Sequence, residues 1–135
     1  MKTTTTWKSG FAFDSHFKNN IIALDDALAS GRDDSGFSPK ALLLSGLAGC
    51  TGIDIISTLN KMKAPYTSIR IDTEAEQTDE HPRVFKEIHI TYFVKVPAEY
   101  EDKVKRAVDL SLEKYCGVAA MLRKHCAIIP KVVIE

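Results

Sequence analysis

The residues of this chain best suited to chemistry are its three cysteines, Cys50, Cys116 and Cys126. A thiolate is a nucleophile and a metal ligand, whereas a thiol in apolar surroundings is inert packing. Their odd number and wide spacing are unlike the dense, even framework of a disulfide-stapled secreted domain. Their contexts differ. Cys50 lies in the middle of "SGLAGCTGIDIIS", with Leu47 and Ile53 one turn away, an environment that also fits a small core residue. Asp54 stands one turn beyond it and, if close to the thiol, opposes thiolate formation. Cys116 ends one amphipathic run and precedes "GVAAMLRK", where a fresh helix N-terminus offers free N–H groups to a thiolate. Cys126 opens an apolar strand and reads as packing.

Other chemistries find less support. A zinc set can be drawn from Cys116, His125 and Cys126, but adjacent His-Cys ligands with one remote Cys match none of the usual spacings. His16 and His89 fall on expected strands and His81 beside Pro82 in a turn, and none is given a role. Gly-rich phosphate loops, HExxH and nucleophile-elbow patterns are absent.

The elements that must position the cysteines follow from periodicity. Ser38-Pro39 is a good helix start, and apolar residues then recur to Met62 before Ala64-Pro65 ends the run. A helix of about 25 residues spans roughly 38 Å, close to the full diameter of a compact chain of this size. Its apolar positions cover more than one stripe, so a single sheet face cannot bury them all. Gly46, Gly49 and Gly52 each cost about 0.5–1 kcal/mol against Ala in a helix interior, which implies that another backbone comes near. The expectation is a central helix packed between its own sheet and a partner subunit.

Around that helix, "WKSGFAFDSHF" and "NIIALDD" read as an N-terminal hairpin over about 7–25, followed by the Gly-, Ser- and Asp-rich loop "ASGRDDSGFSP". "YTSIRIDTEAE" and "RVFKEIHITYFVKV" alternate as two strands of an antiparallel hairpin. "AEYEDKVKRAVDLSLEKYC" is an amphipathic helix in which Tyr100, Val104, Ala107, Val108, Ser111 and Tyr115 follow helical spacing. A short helix "VAAMLRK" and a closing strand "CAIIPKVVIE" complete the chain, with Pro130 favouring a sheet edge or a bulge.

At 135 residues the chain is read as one domain, 1–135, with its core over about 38–135. Eighteen basic and eighteen acidic residues cancel without forming blocks, which argues against nucleic acid as a partner. No run is as apolar as a secretory signal or an uninterrupted membrane span, so a soluble, cytoplasmic protein with no membrane partner is expected.

Taken together, "SPKALLLSGLAGCTGIDIISTLNKMK", "DEHPRVFKEIHITYFV" and "DLSLEKYCGVAAML" resemble the superfamily of osmotically inducible protein C and the organic hydroperoxide resistance proteins, closest to its OsmC-like branch. The resemblance runs from residue 36 nearly to the end. It implies an α+β fold with antiparallel sheets packed around the long central helix, in an intertwined homodimer. It also implies thiol-dependent reduction of organic hydroperoxides, with Cys50 as the peroxidatic thiolate and Cys116 as the resolving thiol. No metal or organic cofactor is required; an external dithiol, lipoyl-linked by family analogy, restores both thiols. The family's peroxidases carry a glutamate soon after the helix-starting proline, orienting an arginine that activates the first thiol. Here Lys40 stands at that position, and Arg32 and Arg123 are the candidate activating cations. The alternative is a non-catalytic OsmC-like dimer that binds an apolar ligand or acts as a redox-responsive protein.

Overall fold

A computed structural model describes residues 1–32 and 34–135; Asp33, within the expected loop, lies outside the described residues. The chain forms two compact units, Met1–Leu43 and Leu44–Glu135.

The first unit is a three-stranded antiparallel meander of β1 (Thr4–Ser9), β2 (Ala12–Phe17) and β3 (Asn20–Leu24). The expected hairpin thus gains a strand, because "WKSGFAF" folds back on itself. Gly10 takes the left-handed conformation (φ 53°) that closes the first turn, and Lys18 takes it (φ 53°) at the second. Cross-strand register sets Trp7 beside Phe13, and Phe13 beside Leu24. One face of the meander therefore carries Trp7, Phe13, Phe17 and Ile22, all exposed. A single helical turn, α1 (Ala27–Ser30), is capped by the Asp26 carboxylate, which accepts from the Leu28 and Ala29 N–H groups.

The long helix α2 runs over Pro39–Lys61, close to the expected span. Leu47, Thr51, Ile55 and Leu59 recur every fourth residue and are fully buried, forming one stripe in the core of the second unit. By length and composition alone α2 could cross a membrane; this buried stripe makes it the core helix of the second unit. Its outward side carries Gly46, Gly49, Ile53 and Ile56, all exposed.

The sheet of the second unit has the order β4-β5-β6, with β4 (Ser68–Gln77) antiparallel to β5 (Phe85–Lys95). β6 (Ile128–Ile134) joins the other edge of β5 in parallel, because the intervening helices return the chain to the start of that strand. Pro130 accordingly sits on an edge strand, as its missing N–H requires. Central β5 alternates cleanly, burying Ile88, Ile90, Tyr92 and Val94 completely. Gly52 marks the close approach of α2 to β4: a Cβ there would stand 3.0 Å from Ile71 Cδ1, whereas Gly46 and Gly49 face open space.

α3 (Glu101–Leu110) buries Val104, Ala107 and Val108. It then widens into a π turn over Ser111–Tyr115, where the Cys116 N–H reaches back five residues to the Ser111 carbonyl at 2.8 Å. The wider turn rotates the side chains within it. Ser111 and Leu112 point inward, and Tyr115, expected on the buried face, is 54% exposed. The Leu112 carbonyl in this widened turn accepts from the Arg123 guanidinium. After the turn comes α4 (Gly117–Arg123).

Candidate active site

Two elements bring the chemistry together. Helical spacing sets Cys50 and Asp54 on one face of α2, four residues apart. The π turn ends at Cys116, the N-cap of α4, whose extended backbone (φ −77°, ψ 107°) turns its sulfur inward to accept the Ala119 N–H at 3.2 Å. Cys50 Sγ, Cys116 Sγ and an Asp54 carboxylate oxygen all lie within 4.8 Å of one another. All three cysteines are free thiols.

The two sulfurs are unequal. Cys116 is only 3% exposed, while Cys50 is half-buried. Burial, and next the adjoining Cys50 sulfur, push the Cys116 thiol up to about 11; the Ala119 N–H works in the opposite direction. Cys116 is therefore a protonated thiol at neutral pH.

Asp54 is held in place by Ser111, whose hydroxyl donates to Oδ2 at 2.9 Å. Beneath the pair, Tyr92 is fully buried on β5, and its hydroxyl has no hydrogen-bond partner of sound geometry among the described residues. Thr51 lies alongside, but its own hydroxyl donates to the Leu47 and Ala48 carbonyls at 3.1 and 3.2 Å. Burial chiefly, and the nearby Cys116 in addition, raise the Tyr92 phenol to about 12, against the pull of Thr51. Ser111, Thr51 and Tyr92 are the members of this site that the sequence did not announce. The one available signal was a small polar residue, Ser111, on the apolar face of an amphipathic run.

The remaining candidates fall elsewhere. Arg123 donates to the Leu112 carbonyl in the widened turn. Arg32, in the first unit, pairs with Asp34 at 3.5 Å with a side chain 69% exposed. Cys126 is half-buried, its thiol raised by burial and then by Glu87. His125 Nε2 meets the Phe85 carbonyl at 2.9 Å, which calls for a proton on that nitrogen and removes it from a ligand role. A groove of about 470 Å3 opens beside Asp54, lined by the polar Ser57, Thr58 and Lys61 as well as by Met62, Leu110 and Tyr115.

Sequence and structure comparisons agree with this architecture. The family described as OsmC-like protein matches residues 31–131. Protein YhfA of Escherichia coli (strain K12) is 32% identical over 124 residues, covering 92% of this chain and 90% of YhfA. A crystal structure of a hypothetical protein from Aquifex aeolicus VF5 superimposes with a TM-score of 0.87 at 26% identity, covering 99% of this chain and 95% of that one. The organic hydroperoxide resistance protein OhrB of Bacillus subtilis shares the fold, with a TM-score of 0.68 at 17% identity over 98% of this chain and 96% of its own. With its long cysteine-bearing helix, its two small sheets and a second cysteine at the head of a short helix, the chain belongs to the OsmC-like protein family.

Proposed function

We propose that this protein is a homodimeric, thiol-dependent peroxidase that reduces organic hydroperoxides in the cytoplasm, with Cys50 as the peroxidatic and Cys116 as the resolving residue. The observation that carries the reading is the pair of sulfurs, within 4.8 Å of each other, on separate elements and with unequal burial. The Cys50 thiolate attacks the distal oxygen of the hydroperoxide. The O–O bond breaks, the alkoxide takes a proton to leave as alcohol, and Cys50 becomes a sulfenic acid. The Cys116 sulfur then displaces that oxygen as water, leaving a Cys50–Cys116 disulfide. An external dithiol restores both thiols by exchange and carries the two electrons that the cycle consumes.

A buried protonated thiol suits the resolving role, since it is kept from direct oxidation until Cys50 has reacted. Both candidate cations are already engaged, Arg123 with the Leu112 carbonyl and Arg32 with Asp34, so neither is assigned to thiolate activation. The dimer is supported by two unpartnered apolar surfaces: the α2 stripe of Gly49, Ile53 and Ile56, and the meander face of Trp7, Phe13, Phe17 and Ile22.

The test is consumption of cumene hydroperoxide in the presence of a dithiol. Turnover that falls to the protein-free rate in Cys50→Ser supports the reading; no turnover of any organic hydroperoxide by the wild-type protein overturns it. The groove beside Asp54, with Met62, Leu110 and Tyr115 on one part of a mixed lining, is the feature on which the other reading, an apolar-ligand carrier, rests. Saturable binding unaffected by loss of both cysteines would identify that role.

A further inference from the structure

We propose that the reduced protein binds a soft divalent cation, with Zn2+ as the probe, between Cys50 Sγ, Cys116 Sγ and an Asp54 carboxylate oxygen. Two thiolates and one carboxylate are an accepted zinc donor set, and three protein ligands leave the fourth tetrahedral position open. Two sulfurs on one tetrahedral zinc stand about 3.8 Å apart, from Zn–S bonds of about 2.3 Å. The three donor atoms already lie within 4.8 Å of one another, so side-chain adjustment of an ångström or so closes the set. Charge points the same way. A carboxylate is the wrong neighbour for a bare thiolate and the right one for a cation held between them.

The surroundings supply what metal ligands usually have around them. Ser111 fixes the Asp54 carboxylate by its 2.9 Å hydrogen bond, and the Ala119 N–H already donates to the Cys116 sulfur. The independent sign is Tyr92. Its hydroxyl is fully buried, has Thr51 alongside but no hydrogen bond of sound geometry among the described residues, and lies near Cys116. A buried donor left unmade is costly, and a metal-bound thiolate is an acceptor that would satisfy it. On binding, each thiol gives its proton to solvent as its Zn–S bond forms; no electrons move. Metal and disulfide are therefore mutually exclusive occupants of one sulfur pair, and zinc holds the thiols in reserve against oxidation.

The experiment is an anaerobic titration of the reduced full-length protein with Co2+, followed by displacement with Zn2+. No peroxide is present, so its outcome is independent of peroxidase activity. The expected result is one metal per chain, near-ultraviolet thiolate-to-cobalt absorption with visible tetrahedral bands, and bleaching by Zn2+. Asp54→Asn, which keeps the shape and the bond from Ser111, is expected to weaken zinc at least tenfold, and Tyr92→Phe on the order of tenfold. Cys126→Ser should change neither. Absence of 1:1 binding at micromolar metal overturns the proposal, as does a signal that survives Cys50→Ser or disappears in Cys126→Ser. If the cysteine variants fail to fold, an unchanged affinity in the isosteric Asp54→Asn protein overturns it equally.

Discussion

The Ser111 hydroxyl donates to the Asp54 carboxylate across 2.9 Å, and that bond ties the π turn after α3 to the middle of α2. Through it, the element that carries Cys116 is indexed against the one that carries Cys50. The two cysteines are 66 positions apart in sequence (116 − 50), and their sulfurs lie within 4.8 Å of each other beside this bond. The same bond holds a negative charge within 4.8 Å of both sulfurs.

Removing that charge while keeping the bond should therefore make the site more reactive. Asp54→Asn retains an acceptor for Ser111 and relieves repulsion of the order of 1 kcal/mol, or about fivefold, against an anionic sulfur. Alkylation of Cys50 by iodoacetamide at neutral pH, followed by peptide mass, is expected to accelerate by about that factor. An unchanged or slower rate would show that the carboxylate does not act on the thiol.

The raised ionisation of Cys116 bears on stability in alkali. Its folded value of about 11 lies above the ordinary thiol value of 9.0, so between these pH values the folded chain keeps a proton that the unfolded chain has lost. The stabilisation is complete below about pH 9 and is lost as pH rises through about 11. Tyr92, raised from 10.0 to about 12, extends the loss in the same direction. Urea midpoints should fall steadily from pH 9 upward, and Cys116→Ala should flatten the first part of that slope. A midpoint independent of pH over this range, with the fold intact, would contradict the burial of these two groups.

The outward face of α2 predicts self-association. Ile53 is 72% exposed in the single chain, and none of the described residues comes within 4 Å of the space a Cβ would take at Gly46. Ile53→Glu should dissociate a dimer at micromolar concentration without lowering the helical signal, as judged by sedimentation and circular dichroism. Gly46→Ala should stabilise an isolated chain by about 0.5–1 kcal/mol through helix propensity. If instead it weakens association, the partner backbone approaches at Gly46.

Much of this architecture was legible because periodicity reports burial. The start of α2 at Pro39, the alternation of β4 and β5 and the helix start after Cys116 all follow from patterns a few residues long. What stayed hidden needed tertiary information. The turn at Gly10 splits a run that reads as one strand of a hairpin into two strands, and the π turn moves Leu112 inward and Tyr115 outward from their α-helical places. Tyr92 reads as one more apolar position of a strand, and only its buried, unpartnered hydroxyl distinguishes it. Asp54 was visible as a residue one turn from Cys50, but its partner Ser111 lies 57 positions away. Gly52 answers only part of the glycine question, through Ile71; Gly46 and Gly49 face outward.

The most direct test of the peroxidase reading is intact-mass measurement and peptide mapping of the reduced protein after one equivalent of cumene hydroperoxide. The expected result is rapid loss of two hydrogens, mapped to a Cys50–Cys116 disulfide, with Cys126 still a free thiol. Persistence of both Cys50 and Cys116 as thiols, while excess oxidant slowly modifies exposed residues such as Met121, would contradict it.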